Sequence, residues 1–412
     1  MKAVKSTLEI MSLAAGGDGV ARLDGLVVFT PRTAPGDRVV ADVVTEGRVG
    51  RGRLCSITSP GASRAEPMCS HYEAPDRCGG CQLQHVSLGA QRDAKRQMVR
   101  DAFARIAKRD VPLPDIRTGA AWRYRRTLTL AIRRTTGGRT YAGLRAYDDP
   151  EAVFDLHECP ITDDRVLDAW RAILAAAAHL PPEPRLRGTV RWIDEHPLFV
   201  LEGGRDWPTL QEFLAAVPSL AAVWWHAEGK RRRLVADRRP SGQPGASFVQ
   251  VNAEVAALMH ADVVERAMAH APGKVVDAYS GVGTTAVAIA ARGVQVVAVE
   301  LDGEATAFAA ARLPSGSRAI ASRVEDALPH LLPADVVTLN PPRTGVDARV
   351  ITALRQSTPA PRAIIYVSCD PATLARDVAR LDGWRVHALT CYDMFPQTAH
   401  VETVCELRPE TA

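Results

Sequence analysis

Cys369 ends the apolar run Ile364 to Val367 in the stretch AIIYVSCDPATLARD, residues 363–377, at the point where Asp370-Pro371 stops a strand and a helical pattern begins. Ligands bind outside the carboxyl ends of parallel strands in open α/β sheets, so a thiol there is placed for chemistry. The positive end of the following helix favours its thiolate, the nucleophilic form. Position alone equally allows a buried structural cysteine. A second group of thiols lies in CSHYEAPDRCGGCQLQH, residues 69–85, where Cys69 is followed by Cys78 and Cys81 in a C-x2-C pair spaced by two glycines. Cys159 in LHECPI is the best fourth ligand and Cys55 the reserve. Four thiolates suit an iron-sulfur cluster or a structural zinc, and ligand type alone does not separate the two.

A third signal is VVDAYSG, residues 275–281, an apolar strand running into Gly281-x-Gly283, with a helical TTAVAIAARG and a second strand closing on Glu300-Leu301-Asp302. Glycines at such a turn admit a ligand to the backbone, and an acid closing the next strand accepts from ribose hydroxyls. The third glycine of a dinucleotide site is missing and Thr284-Thr285 stand there, so the nucleoside of S-adenosylmethionine fits better than a pyrophosphate. Glu325-Asp326, at the next expected strand end, either brackets the adenine or starts a helix. The fourth strand, DVVTLNPPRTG (335–345), ends in Asn340-Pro341-Pro342-Arg343, and the two prolines stiffen the turn. An Asn amide accepts from one ring NH and donates to one carbonyl, which matches the edge of uracil. Glu402 follows His400 in the last apolar segment.

These residues need elements to hold them. A chain of 412 residues exceeds one ordinary core. Three parts are expected: residues 1–57 as a small β-barrel of the oligonucleotide-binding kind, 58–245 as a mixed α+β region with the thiol cluster, and 246–412 as a strand-helix alternation of Rossmann-like α/β class. Within the middle part, Ser87 to about Arg109 reads as a helix. Residues 122–148 read as a hairpin turning at Gly137-Gly138, and PSGQPGAS (240–247) as a boundary loop. The hairpin interleaves Arg123, Arg125, Arg126, Arg133, Arg134, Arg139 and Arg145 with Trp122, Tyr124, Tyr141 and Tyr147. Guanidinium groups pair with phosphates and aromatic faces stack on unpaired bases, so this mixture favours RNA over a merely solvated face.

Composition is that of a globular protein, 46% hydrophobic and 24% charged with a net charge of +4. There is no signal-like apolar core at the start and no run of membrane-spanning length, so a cytoplasmic protein without membrane contact is expected. In a reducing compartment the eight cysteines are read as metal ligands or catalysts rather than disulfides. No long exposed heptad is present, which makes a monomer the default.

In that order, QVN (250–252), VVDAYSGVG, NPPRTG, YVSCDPATLARD and DMFPQTAHVETV resemble the RNA uracil-5-methyltransferases that use S-adenosylmethionine. The CGGCQLQH cluster and β-rich N-terminus look like the branch with a 4Fe-4S cluster and an RNA-binding barrel called TRAM. The resemblance implies a class I methyltransferase domain, with Cys369 as the nucleophile toward carbon 6 of uracil and Glu402 as the base that removes the carbon 5 proton. It further implies that Gln250, Tyr279, Thr284, Glu300 and Asn340 contact the methyl donor and that Cys69, Cys78, Cys81 and Cys159 hold the cluster. The substrate it implies is RNA, with 23S rRNA preferred and tRNA the runner-up. The chain departs from the family in a wider gap between Cys69 and Cys78, in Asn340 for the more frequent Asp, and in SCDP for SCNP. Rival readings are an exocyclic amino methyltransferase, which would need neither Cys369 nor Glu402, a cytosine-5 enzyme, and an iron-sulfur RNA-binding protein without catalysis.

Overall fold

The structure is a computed structural model that describes residues 3–239, 244–245 and 249–410. Most of the boundary loop expected at 240–247 lies outside the described residues. The chain divides into two compact units. One comprises residues 1–91, 120–246 and 396–399, and the other residues 92–119, 247–395 and 400–412. The segment 92–119, read from sequence with the middle region, therefore packs with the C-terminal residues.

The first unit holds two six-stranded sheets. The N-terminal sheet runs from Val4–Glu9 to Val49–Ser59 and is antiparallel except where Leu26–Thr30 lies parallel to Val49–Ser59. Alternate residues of its strands, among them Leu8, Ala21, Val28, Val39, Ala41 and Val43, share one apolar core. The second sheet contains the expected hairpin, Thr127–Arg134 paired with Thr140–Gly143. The helix Asp164–Ala175 packs on this sheet through Trp170, whose indole NH donates to Leu128 O at 3.1 Å.

The second unit is built on an eight-stranded sheet. Its parallel part runs Arg318–Ala321, Gln295–Glu300, Lys274–Ala278, Val336–Leu339, Ala363–Ser368. Next comes Glu402–Pro409, antiparallel to both its neighbours, then Trp384–Tyr392 and the short Asp115–Arg117. Val276, Val297, Val337, Ile364 and Tyr366 enter one core, whereas Val275, Val296, Val336, Ile365 and Val367 enter the other. Both faces are thus covered, which is why these strands read as unbroken apolar runs rather than alternations. The chain order reverses between Lys274–Ala278 and Val336–Leu339, the switch point at which such sheets open a ligand crevice. Among the described residues, no helix is long and apolar enough to cross a membrane.

Candidate functional site

Every residue with an expected role in the methyl-transfer chemistry, save Gln250, Thr284 and Glu402, stands at or just beyond the carboxyl end of a parallel strand. Tyr279 follows Lys274–Ala278, Glu300 ends Gln295–Glu300, Asn340 follows Val336–Leu339 and Cys369 follows Ala363–Ser368. Glu402 opens the antiparallel strand beside the last of these. Ser368 pairs with Thr403, so Cys369 and Glu402 stand at the next position of the same ladder.

The turn after Lys274–Ala278 is shaped for a ligand. Tyr279 and Gly281 both adopt left-handed backbone, with φ of 59° and 54°. A Cβ on Gly281 would meet nothing within 4 Å, whereas one on Gly283 would press on Ala309 Cβ at 2.7 Å. The first glycine leaves open space and the second lets two helices approach. Glu300 is oriented by three backbone NH groups, from Gly281 at 2.9 Å and from Leu301 and Asp302 at 2.8 Å each. A carboxylate has about four acceptor sites, so capacity remains for hydroxyls. Ser280 Oγ and Gln250 Oε1 are buried without hydrogen-bond partners among the described residues. An orphaned buried hydroxyl at a glycine turn, that of Ser280, fits a polar nucleoside ligand. Thr284 is exposed at the first turn of Thr284–Ala290, and Asn340 is half-buried with its NH on Ala278 O at 3.2 Å. Glu325 and Asp326 instead begin the helix Val324–Leu331 and face Arg349, at 3.6 and 2.8 Å.

The Cys369 thiol is half-buried, and burial followed by the charge of Glu402 pushes its pKa up, while Arg343 pulls it down. This reverses the expectation of a thiolate favoured by the helix end. Asp370 caps that helix by accepting from Thr373 N at 2.7 Å, and its own charge also weighs against the thiolate. Burial raises the Glu402 carboxyl to about 8, again opposed by Arg343. The charge of Arg343 therefore acts on both acids.

The loop that carries Arg343 is tied to the helix Pro371–Ala379. Thr373 Oγ1 donates to Arg343 O at 3.1 Å, and Arg376 Nη2 to Thr344 O at 2.7 Å. Asp377 is fully buried and accepts from Val346 N at 3.0 Å and from the Tyr366 hydroxyl at 2.8 Å. Sequence reasoning missed Asp377 and Ser280; nothing in a single sequence distinguishes a buried aspartate on a helix from a solvated one.

In the first unit, Cys69, Cys78, Cys81 and Cys159 are all buried, and Cys55 is exposed on its strand. Burial pushes Cys69 and Cys81 up to about 12 and raises Cys78, and each feels the charge of Cys159. Donors reach the sulfurs: Gly80 N to Cys78 Sγ at 3.3 Å and Thr162 Oγ1 to Cys159 Sγ at 3.1 Å. Buried, mutually repelling sulfurs that receive hydrogen bonds fit a cationic metal centre. Among the described residues no three His, Cys, Asp or Glu side chains converge on a single-ion site.

Of the hairpin arginines, five are engaged within the fold. Arg123 pairs with Asp164 at 2.9 Å, Arg125 Nε donates to Thr127 O at 2.9 Å, Arg133 Nη1 donates to Ile132 O at 3.0 Å, Arg134 Nη2 donates to Ala177 O at 3.1 Å, and Arg139 pairs with Asp155. Tyr124 is buried and donates to Pro396 O at 3.0 Å. The expected RNA surface is accordingly narrower than the seven arginines suggest.

The family model described as tRNA (Uracil-5-)-methyltransferase matches residues 317–408, the part that carries Arg343, Cys369 and Glu402. A 23S rRNA (uracil(1939)-C(5))-methyltransferase, RlmD, of Halomonas elongata is 31% identical over 98% of this chain and 90% of its own length. An uncharacterized RNA methyltransferase of Protochlamydia amoebophila is 28% identical over 97% of this chain and 96% of that one. Among solved structures, the Pyrococcus abyssi tRNA (uracil-54, C5)-methyltransferase in complex with S-adenosyl-L-homocysteine superposes with a TM-score of 0.70 over 98% of this chain and 99% of that one, at 20% identity. The likeness to the Halomonas elongata relative over nearly the whole length, with the family model over residues 317–408, means that the chain belongs to the RNA uracil-5-methyltransferase family.

Proposed function

We propose that this S-adenosylmethionine-dependent RNA methyltransferase modifies carbon 5 of a uridine in 23S rRNA through a covalent adduct between Cys369 Sγ and carbon 6 of the base. The observation that carries the mechanism is the placement of Cys369 and Glu402 across from one another just beyond the Ser368–Thr403 pair that ends one antiparallel ladder, with the charge of Arg343 acting on both. Carbon 5 of uracil is a weak nucleophile. Addition of the Cys369 thiolate to carbon 6 moves the ring electrons onto carbon 5 and the adjacent carbonyl oxygen. The Asn340 amide or the Arg343 guanidinium would donate to that oxygen as charge develops. S-adenosylmethionine supplies the methyl group that carbon 5 takes. Glu402 then accepts the carbon 5 proton, the electron pair re-forms the ring double bond and the Cys369–carbon 6 bond breaks, returning the thiolate.

Gln250, Tyr279, Thr284, Glu300 and Asn340 are the residues assigned to the methyl donor. The unpartnered Gln250 Oε1 and Ser280 Oγ and the open space at Gly281 support that assignment. Cys69, Cys78, Cys81 and Cys159 are assigned to a 4Fe-4S cluster. Such a cluster binds each sulfur to its own iron, whereas zinc would gather all four within about 2.3 Å of one point. The choice of rRNA rests on the Halomonas elongata relative, and tRNA is the second substrate class, suggested by the name of the matching family.

Incubation of the protein with methyl-labelled S-adenosylmethionine and either unmodified large-subunit rRNA or unmodified tRNA, followed by nucleoside mass spectrometry, tests this reading. Label in 5-methyluridine from rRNA is expected. Label from tRNA alone would overturn the substrate, and label in 5-methylcytidine would overturn the base. Glu402→Gln is expected to trap a protein–RNA adduct that survives denaturation, and Cys369→Ala to form none. Turnover by Cys369→Ala would sink the covalent mechanism.

A further inference from the structure

Glu402 stands at the end of its ladder with Trp384–Tyr392, where Tyr392 and Glu402 are the last pair, and residues 393–401 join the two. A two-residue hairpin turn closes such an end by itself, but a loop of this length leaves the terminal pair free to fray. Residues 396–399 count with the other compact unit, so within its own unit the loop is interrupted as well. Something other than the turn must hold Glu402 in place.

Asp393, the first residue beyond the ladder, is buried and tied at three points. Its NH donates to Arg117 O at 2.8 Å, its Oδ1 accepts from Lys95 Nζ at 2.6 Å, and its Oδ2 accepts from Arg92 Nε at 3.2 Å. Lys95 Nζ also donates to Phe395 O at 2.9 Å, so one ammonium group grips the loop at two residues. Lys95 is fully buried, on the same helical face as Val99 and, one turn further, Phe103. A buried ion pair is weak evidence for stability, since apolar residues of similar volume often serve as well. Its position at the ladder end gives this pair a different use. Among charges, Glu402 responds to Arg343 and not to Lys95, so the ammonium acts on the carboxylate through the backbone it holds.

The geometry points to Lys95 as a positioning residue for the base: by clamping Asp393 and Phe395 it holds the ladder end, and with it Glu402, where the carbon 5 proton must be taken. This rests on the reading of Glu402 as the group that takes that proton. In that step the carbon 5–hydrogen electron pair becomes the ring double bond, the Cys369–carbon 6 bond breaks and the proton goes to Glu402. Thiolate addition and methyl transfer come earlier and do not use the carboxylate. A loosened clamp therefore slows release of the methylated adduct and leaves its formation alone.

The test is the double variant Lys95→Met/Asp393→Leu, which removes both buried charges together so that neither is stranded. It is expected to bind S-adenosylmethionine as the parent does, to lower kcat about tenfold with little change in KM, and to accumulate a methyl-labelled protein–RNA adduct that survives denaturation. Lys95→Gln, whose amide can still donate to one of the two oxygens, should accumulate less of the same adduct. Leu354→Ala, which opens a cavity in the core of the same unit, should lower the urea midpoint and accumulate none. If Glu402→Gln traps the adduct while both Lys95 variants release it as the parent does, the clamp is overturned and the base assignment stands. No adduct in Glu402→Gln would overturn both. Equal accumulation in Leu354→Ala would reduce Lys95 to general stability.

Discussion

The Tyr366 hydroxyl donates to Asp377 Oδ2 at 2.8 Å, and that same oxygen accepts from Val346 N at 3.0 Å. One buried carboxylate thus ties the strand that delivers Cys369 to the loop that carries Arg343. Arg376 neutralises it through the other oxygen at 2.8 Å. Such a tie fixes how the guanidinium stands relative to the thiol, because neither segment can shift without leaving a buried polar atom unpaired.

Tyr366→Phe removes one donor and keeps the packing. It is expected to destabilise the chain by about 1–2 kcal/mol, read as a lower urea midpoint. Asp377→Ala leaves the Val346 NH and the Tyr366 hydroxyl both unpaired and should cost more, about 2–4 kcal/mol. If the tie also positions Arg343, Tyr366→Phe will lower kcat more than it changes KM. A stability loss with kinetics unchanged would leave the residue purely structural.

The Glu402 carboxyl, held at about 8 by burial against an unperturbed 4.5, gives a pH signature in two measurements. As a base it must lose its proton, so the rate of methyl transfer should rise with pH and level off above about 8. Stability moves the other way. The folded state holds a proton that the unfolded state has released, so stability falls as pH rises from 4.5 through about 8. Glu402→Gln should lack that decline and exceed the parent in stability on the alkaline side. Parallel stability curves for the two proteins would mean that the carboxyl titrates normally.

The sequence made the parallel strands legible because burial on both faces leaves unbroken apolar runs such as Val275–Val276 and Ile364–Val367. It marked their carboxyl ends through Gly281, Asn340-Pro341 and Asp370-Pro371 for a local reason: glycine admits backbone angles that other residues avoid, and proline fixes them. What it could not show depends on distant neighbours. Whether Cys369 favours a thiol or a thiolate is set by burial, Glu402 and Arg343, none of which is local to the helix end. Likewise, which hairpin arginines remain without partners depends on carbonyls and acids as far away as Ala177 and Asp164.

Gly281→Ala separates the methyl donor's site from general stability. Its φ of 54° makes an alanine cost about 1 kcal/mol, while a Cβ there would touch no protein atom within 4 Å. The added methyl group would project into the space assigned to the nucleoside. Calorimetric titration is expected to show S-adenosylmethionine affinity reduced by tenfold or more with only a small loss in melting temperature. Gly283→Ala should do the opposite, since its Cβ would press on Ala309. Equal affinity in Gly281→Ala and the parent would place the donor elsewhere.

Cys81→Ser tests the metal assignment without using activity as the readout. Burial holds the Cys81 thiol up at about 12, so in an empty site it stays protonated and inert, and only a bound cationic centre makes its thiolate favourable. Anaerobically purified protein is expected to contain iron and acid-labile sulfide with broad visible absorption, all lost in Cys81→Ser. The variant should also melt earlier, because the folded state loses the binding free energy of the centre. Stoichiometric zinc without sulfide would replace the cluster by a single ion, and that ion would have to draw the four sulfurs together from their present arrangement. Cys55→Ser, on an exposed strand position, should leave metal content and melting unchanged; loss of metal there would move the fourth ligand from Cys159 to Cys55.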